Sequence, residues 1–197
     1  IQSHEPDFLL EPFLLKNSTN LIFGEGASGK STFASYFATL LDQQGIATLY
    51  LDYENATIEP ICKTITSIYP KASRIFVKCP KVRLVDCIDE IFRDVERNKI
   101  ELIIVDSVAR AVSGDLSSAE VVISFMDGLA QIPVTWLLIS HTNKGSDSQP
   151  FGSIYFSNLS RNVWALKRLQ DHNSLLIQLV HKKSNFSGLY PSRIFRI

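Results

Sequence analysis

Short apolar runs alternate with amphipathic segments along most of this 197-residue chain. The apolar runs have the length of strands, whereas the segments between them repeat apolar residues at the spacing of a helix with one buried face. Continuous apolar strands are buried on both faces, so the alternation favours an α/β fold with a mainly parallel sheet between layers of helices. The pattern predicts strands at 21–24, 47–53, 74–78, 102–105 and 134–140, and helices at 30–44, 58–69, 84–97 and 117–129.

The predicted helices carry two recognisable capping signals. Gly45 follows the first helix and suits the left-handed conformation that often ends a helix. Ser117 and Glu120 have the spacing of a capping box, which predicts that the fourth helix begins at Ser117. In the third helix, the residues expected to form the buried face are Val85, Ile88, Ile91, Phe92 and Val95.

The two ends of the chain depart from this alternation. Strand-like runs at 163–169 and 174–181 flank a turn-like segment, which predicts a hairpin that extends the sheet with antiparallel strands. Residues 193–197 are expected to add an edge strand. Residues 1–18 hold two prolines among apolar residues and predict an extended lead-in packed onto the body, or the end of a linker. Residues 19–197 then form one domain.

Composition narrows the class of function without selecting one. Apolar residues make up 45% of the chain and the formal net charge is zero, which argues against a protein that coats nucleic acid over its whole surface. The longest apolar run, 134–139, is far too short to cross a bilayer, so no membrane role is expected.

The three cysteines lack the paired spacing of a zinc site, and a cytoplasmic location is the expectation. Because the chain begins at Ile1, we expect it to be part of a longer one.

One segment has a specific chemical meaning. Residues 24–31 read Gly-Glu-Gly-Ala-Ser-Gly-Lys-Ser, directly after an apolar run and directly before the first predicted helix. This is the complete phosphate-binding pattern G-x-x-x-x-G-K-[ST] in the strand–loop–helix setting that it requires. Its glycines let the chain wrap closely around phosphate oxygens, and its backbone N–H groups then face the anion. The candidate nucleotide-binding residues are Gly24, Glu25, Gly26, Ala27, Ser28, Gly29, Lys30, Ser31 and Thr32.

The ligand expected at this loop is ATP with Mg²⁺. Lys30 is placed to reach the β- and γ-phosphates, and the Ser31 hydroxyl is placed to serve as a magnesium ligand. Asp106 ends the aliphatic strand 102–105. That position puts its carboxylate at the same edge of the sheet, where it can hold magnesium through water.

Hydrolysis needs a second acidic residue that acts on the attacking water. Glu54 comes directly after the strand 47–53 and is the expected general base or water-orienting residue. Asp52, two residues earlier, remains an alternative. Glu54 is preferred because it lies past the strand end, where ligands bind in sheets of this kind.

The order of these motifs resembles that of the RecA-like P-loop ATPases, in which a phosphate loop precedes a catalytic glutamate and a strand ending in Val-Asp-Ser, here 105–107. The resemblance spans residues 20–190 and implies a three-layer P-loop NTPase fold. The stretch Leu-Ile-Ser-His at 138–141 is similar to the branch of RepA- and DnaB-type hexameric helicases and their KaiC- and RadA-like relatives. That branch places a γ-phosphate sensor at the end of this strand, which implies a catalytic role for His141 beside Lys30 and Glu54.

The resemblance also implies contact with nucleic acid. In RecA-like proteins the loop corresponding to residues 143–153 contacts single-stranded DNA, and Lys144 is the obvious phosphate contact here. An ordinary surface loop remains the alternative interpretation of this segment.

A further implication is self-association, because hexameric helicases insert a Lys-x-Arg segment into a neighbour's nucleotide site. Lys183 aligns with that lysine, but Asn185 stands in place of the arginine. Arg161 is similar to an ATP-site residue of this branch, and Arg168 is another candidate cation. The resemblance implies a homo-oligomer, expected to be a hexameric ring.

The function expected from these residues is that of an ATP-hydrolysing motor domain acting on nucleic acid, in a replicative helicase or a DNA replication protein. One alternative is a regulatory or recombination ATPase with low turnover, which Asn185 keeps open. A small-molecule kinase is less favoured, because no arginine cluster suggests a lid and because Glu54 suits water better than a substrate hydroxyl.

Overall fold

Strands and helices alternate in the folded chain much as the apolar pattern predicts. The computed structural model describes residues 6–143, 146–150, 155–169 and 174–197. Its strands are β1 (Phe8–Leu10), β2 (Leu14–Leu15), β3 (Thr19–Gly24), β4 (Ala47–Asp52), β5 (Ile75–Lys78), β6 (Ile100–Asp106), β7 (Thr135–Asn143), β8 (Ser146–Pro150), β9 (Asn162–Leu169), β10 (Leu176–Ser184) and β11 (Arg193–Arg196). Its helices are α1 (Lys30–Gln43), α2 (Glu59–Ile68), α3 (Ile88–Asn98), α4 (Val108–Ala111), α5 (Ala119–Ala130) and α6 (Tyr155–Leu159), with a 3₁₀ turn at Leu84–Cys87. Every helix among these residues is too short or too polar to span a lipid bilayer.

The main sheet has the spatial order β11–β10–β9–β3–β7–β6–β4–β5 within the described residues, and β8 pairs with β7 outside this path. The strands from β9 to β5 run parallel to one another. β10 and β11 are antiparallel to their neighbours, although the turn at 170–173 lies outside the described residues. The predicted fold class is confirmed: a mainly parallel sheet, covered by helices, is extended by antiparallel C-terminal strands.

Two apolar layers lie on opposite faces of the sheet, because successive side chains of a strand point to opposite sides. In β6, Leu102 and Ile104 face α1 and α2, whereas Ile103 and Val105 face α3 and α5. The carboxyl ends of β3, β4, β6 and β7 meet at one edge of the sheet. In sheets of this topology, that edge is where ligands bind.

Helix α5 is capped one residue later than the sequence suggests. The Ser118 side chain accepts a hydrogen bond from the Val121 N–H at 3.5 Å. Ser117 is not the cap, because its hydroxyl donates to the Asp115 carboxylate at 2.7 Å and is held in the preceding turn. The predicted capping box between Ser117 and Glu120 is therefore wrong.

The apolar face predicted for the third helix is only partly buried. A 3₁₀ turn precedes α3, and its tighter winding rotates Val85 out of the α-helical stripe. Val85 and Phe92 are 40% and 45% exposed, whereas Ile91 and Val95 are buried. The sequence pattern misplaces Val85 because it treats the turn and α3 as one regular helix, whereas Phe92 follows buried Ile91 within α3 and so lies about 100° around the helix from it.

The N-terminal lead-in packs onto the body. β1 and β2 pair as a small antiparallel sheet. The Phe13 ring packs against Phe37 of α1 and Trp164 of β9, with ring centres 5.3 and 5.0 Å apart. The Asn162 side-chain amide donates to the backbone carbonyls of Pro12 and Phe13 at 3.1 and 2.9 Å. The lead-in therefore contributes to the same apolar core as the first helix.

Candidate active site

The phosphate loop joins the end of β3 to the start of α1 at the carboxyl edge of the sheet. Gly29 has a φ of +94°, in the left-handed region that glycine adopts without strain, and α1 begins at the next residue. The free N–H groups of the first helical turn therefore face the loop. Gly24 is required for another reason, since a Cβ there would lie 2.4 Å from the Leu166 carbonyl oxygen of β9. Close packing against β9 is therefore one reason for glycine at this position.

A cleft of 480 Å³ beside this loop gathers most of the predicted site residues, and its size is typical of small-molecule sites. The residues that line it are Ala27, Ser28, Gly29, Lys30, Ser31, Thr32, Glu54, Asp106, His141, Arg168 and Leu175. Gly24, Glu25 and Gly26 line a smaller neighbouring cavity of 220 Å³ instead. A larger groove of 640 Å³ runs along α5, but none of the predicted site residues lines it.

Lys30 is buried at the base of the cleft. Its ammonium group donates to the backbone carbonyls of Gly24 and Glu25 at 2.9 and 2.5 Å, and its Nζ lies 3.4 Å from His141 Nδ1. Burial lowers the pKa of Lys30, and nearby carboxylates, Asp106 first among them, oppose that effect. A phosphate oxygen entering the cleft would offer this cation a full negative charge in place of neutral carbonyls.

Asp106 ends β6 with a side chain that is almost completely buried. The Tyr50 hydroxyl donates to its Oδ2 at 2.7 Å, and Ser31 lines the same cleft. Burial raises the pKa of Asp106, and interactions with the Ser31 and Tyr50 side chains act in the opposite direction. The peptide bond between Asp106 and Ser107 is cis.

The Ser31 hydroxyl and the Asp106 carboxylate fit a magnesium ion. Both are hard oxygen donors, and both line the same cleft. Within the described residues, no group of three or more histidine, cysteine, aspartate or glutamate side chains is arranged to hold a metal. Magnesium bound with a nucleotide does not need such a group, because phosphate oxygens and water complete its octahedral shell.

The turn after β4 directs Glu54 into the cleft. Buried Asp52 accepts hydrogen bonds from the backbone N–H groups of Glu54 and Asn55 at 2.9 and 3.1 Å, and from the Asn55 side chain at 2.8 Å. Asp52 thus uses its oxygens to shape the turn, as aspartates in turns commonly do. Glu54, at 33% exposed, is left as the accessible carboxylate of the cleft.

Among the described residues, three side chains contact the Glu54 carboxylate. Ser107 Oγ donates to Oε1, Arg110 Nε lies 3.2 Å from Oε2, and His141 Nε2 lies 3.7 Å from Oε1. His141 also contacts Lys30 through its other ring nitrogen. The imidazole therefore lies between the phosphate-binding lysine and the glutamate, which is a suitable place for a group that senses the γ-phosphate.

Tyr50, Ser107 and Arg110 belong to this site, although the sequence did not assign them roles. Tyr50 is an aromatic residue in an apolar strand, two positions before Asp52, and this spacing is a signal that its hydroxyl shares the polar edge. Ser107 and Arg110 closely follow Asp106, so their sequence position alone indicates proximity to the cleft.

Arg161 and Lys183 lie at the opposite edge of the sheet. The backbone N–H of Arg161 donates to the carbonyl of Thr19 at 2.8 Å. Thr19 is the first residue of β3, whereas the phosphate loop follows the last residue of that strand. Lys183 Nζ donates to three backbone carbonyls within 157–160, at 2.8, 2.6 and 2.8 Å. The six residues of β3 span about 16 Å in the extended conformation, so the two edges of the sheet are about that far apart. Neither cation therefore reaches the loop of its own chain, and the predicted nucleotide contacts require the cleft of another copy. Arg168, by contrast, lines this chain's own cleft.

The segment 143–153, predicted to contact nucleic acid, is partly a strand. β7 continues to Asn143 and pairs with β8 in antiparallel fashion, so residues 146–150 are not an open loop. Lys144 lies outside the described residues, as do residues 151–154.

Comparison with known proteins identifies the family of this chain. None of the curated proteins compared with it matches. A family model described as "AAA domain" matches residues 2–147, a range that includes the phosphate loop, Glu54, Asp106 and His141. The match covers well over half of the chain and supports a P-loop ATPase. The chain therefore belongs to the AAA domain family.

Proposed function

We propose that this chain is the ATP-hydrolysing motor domain of a protein that acts on nucleic acid, as a replicative helicase or another DNA replication protein. The observation that carries the proposal is one cleft that holds the phosphate loop, the buried Asp106, and Glu54 within 3.7 Å of His141. Membership of the AAA domain family supports the ATPase. The order of the motifs, which resembles that of hexameric helicases, supports the nucleic-acid motor.

Each group of residues in the cleft has its own role in the proposed hydrolysis. Loop residues 27–32 and the Lys30 ammonium would cradle the phosphates in a positive field. Ser31 and Asp106 would hold Mg²⁺, which when bound supplies Lewis-acid stabilisation of the phosphate charge. Glu54 would orient the attacking water and accept its proton, while Ser107 and Arg110 keep the carboxylate in one orientation.

The proposed partners are single-stranded nucleic acid and further copies of the chain. Nucleic acid would bind to the segment 143–153, with Lys144 as a phosphate contact. His141 lies on the same strand as the start of this segment, so a shift of β7 on nucleotide binding would pass directly to it. Arg161 and Lys183 would serve a neighbour's cleft, which is consistent with a ring, hexameric by resemblance.

A regulatory or recombination ATPase with low turnover is the second candidate. The observation that favours it is that three carbonyls of its own chain hold the Lys183 ammonium group. Asn185 stands where the resemblance places an arginine. The segment around Lys183 would then offer a neighbour's cleft no forked guanidinium, a group that can raise phosphoryl-transfer rates about 10³–10⁵-fold.

Steady-state ATPase assays with and without single-stranded DNA or RNA distinguish the two candidates. A motor should hydrolyse ATP faster with nucleic acid, and the stimulation should fall steeply as salt rises. Low turnover that nucleic acid leaves unchanged, at protein concentrations that allow assembly, would favour the regulatory ATPase. Lys30→Ala should abolish ATP binding and so controls for contaminating ATPases. Normal affinity in that variant would contradict the nucleotide site itself.

A further inference from the structure

We propose that Tyr50 is a positioning residue for the magnesium site, because its hydroxyl holds the Asp106 carboxylate in the orientation that receives the ion beside Ser31. The inference rests on the proposed function, since it assumes that the cleft binds a nucleotide with a divalent cation. Its direct support is the hydrogen bond from the Tyr50 hydroxyl to Asp106 Oδ2, at 2.7 Å.

Strand register brings the two side chains together. Tyr50 of β4 pairs with Ile104 of β6, and Asp106 lies two residues further along β6 on the same face. Diagonal neighbours on a sheet are within reach of a long aromatic side chain. Tyr50 therefore extends along the sheet surface toward the carboxyl edge, where its hydroxyl meets the carboxylate.

The contact is rigid because it is made inside the core. Tyr50 is fully buried in the apolar layer that includes Phe33 and Phe37 of α1, and Asp106 is almost fully buried as well. A tightly packed ring has one orientation, so its hydroxyl is a fixed donor. A fixed donor on Oδ2 in turn limits rotation of the carboxylate, and the remaining lone pairs keep a constant direction.

Apolar packing alone does not account for tyrosine at this position. Phenylalanine would fill the same space in the core, whereas only the hydroxyl provides a donor to the buried carboxylate. Hydrogen bonds to the ligands of a metal typically change its affinity by about 10–100-fold. The expected effect of the Tyr50 hydroxyl is therefore on metal affinity.

Tyr50→Phe tests this, with Tyr53→Phe as the matched control. Tyr53 follows β4 directly and is also buried, but it faces the opposite apolar layer, beside Cys87. The probe is Mn²⁺, titrated into protein loaded with a non-hydrolysable ATP analogue and followed by electron paramagnetic resonance. The dissociation constant for Mn²⁺ should rise about tenfold or more in Tyr50→Phe. It should stay at the parent value in Tyr53→Phe, and both variants should bind the analogue as the parent does without metal.

The outcomes separate this inference from the proposed function. Unchanged Mn²⁺ affinity in Tyr50→Phe would overturn the role of Tyr50 and leave the ATPase proposal standing. A parent protein that binds neither the analogue nor Mn²⁺ would overturn the proposed function and the inference with it. If Tyr50→Phe proves unstable, 4-aminophenylalanine at position 50 keeps a donor at the end of the ring and should bind Mn²⁺ as the parent does. Loss of Mn²⁺ binding in that protein, when folded, would equally refute the inference.

Discussion

The Glu54 carboxylate is held by side chains from two other parts of the chain, Ser107 and Arg110 around α4 and His141 on β7. A carboxylate engaged at both oxygens keeps one orientation, which suits a base that must meet water in line with a phosphate. The Arg110 side chain is 65% exposed, and surface ion pairs of this kind contribute little to folding. These contacts therefore matter for the geometry of the site more than for the stability of the fold.

Replacing Glu54 by glutamine should separate ATP binding from hydrolysis. Glu54→Gln keeps the size and polarity of the side chain but cannot accept a proton, so single-turnover hydrolysis should fall about 10²–10⁴-fold while ATP affinity is retained. Glu101→Gln, at an exposed position near the other end of β6, is the matched control and should behave as the parent does. Hydrolysis at the parent rate in Glu54→Gln would remove this residue from the mechanism.

The sequence predicts some residues of this site better than others. Asp106 and Glu54 could be selected because each follows a continuous apolar strand at the edge where ligands bind. Tyr50 is harder to select, because its spacing from Asp52 indicates a shared face, but a tyrosine inside an apolar strand is equally expected in a core. Its role depends on the register between β4 and β6, which brings it to a carboxylate 56 residues along the chain.

At the scale of elements, the contact between the end of β3 and β9 can be tested with two glycines of one loop. A Cβ at Gly24 would lie 2.4 Å from the Leu166 carbonyl oxygen, whereas a Cβ at Gly26 would have no atom within 4 Å. Gly24→Ala should therefore lower the free energy of unfolding by about 1–3 kcal/mol, as overpacking does. Gly26→Ala should change it by less than about 0.5 kcal/mol. Urea unfolding measures both, and equal stabilities would show that β9 yields without cost.

The elements were predictable where a period is visible and less so where local contacts compete. The alternation of apolar strands and amphipathic helices gave the order of the α/β body, since burial on both faces of a sheet leaves few other patterns. The predicted cap of α5 is wrong because the Ser117 hydroxyl donates to the Asp115 side chain instead of capping the helix. The packing of Gly24 against β9 is not visible in the sequence, because folding brings Leu166 to it from far along the chain.

At the scale of the whole molecule, His181 connects the C-terminal strands to the lead-in. Its ring stacks on Trp164 with centres 4.2 Å apart, its Nδ1 accepts from the Tyr190 N–H at 2.9 Å, and its Nε2 lies 2.8 Å from Asn162 Oδ1. Asn162 in turn donates to the carbonyls of Pro12 and Phe13. Since Nδ1 is an acceptor, the network requires the neutral imidazole.

This network predicts a loss of stability in weak acid. Burial lowers the pKa of His181 below its ordinary value, so the unfolded chain binds a proton at a higher pH than the native chain does. The contribution of His181 is thus fully present above about pH 6.5 and declines as the pH falls below that value. Urea unfolding between about pH 5 and pH 8 measures the slope. His181→Gln, which cannot titrate, should show a shallower slope in this range, and an identical slope would assign the effect elsewhere.

The placement of Arg161 predicts dependence on protein concentration. Because this residue lies about 16 Å from its own phosphate loop, a role in hydrolysis requires a second copy. Turnover per chain should therefore rise across the concentration range in which sedimentation shows assembly, and Arg161→Ala should reduce that rise. Arg193→Ala, at an exposed position on the edge strand β11, serves as the control. Constant turnover per chain through assembly would argue for sites that are complete in one copy.

The backbone contact between Gly24 and Leu166 connects β9 directly to the start of the phosphate loop. The two backbones pack tightly against each other there, so a movement of β9 would reach the phosphate loop directly. The far end of the same strand begins beside Arg161, at the edge where a neighbouring copy would press. If a second copy packs at that edge, we expect a small axial displacement of β9 to shift the start of the phosphate loop. Assembly of several copies would then change the affinity of the phosphate loop for a nucleotide.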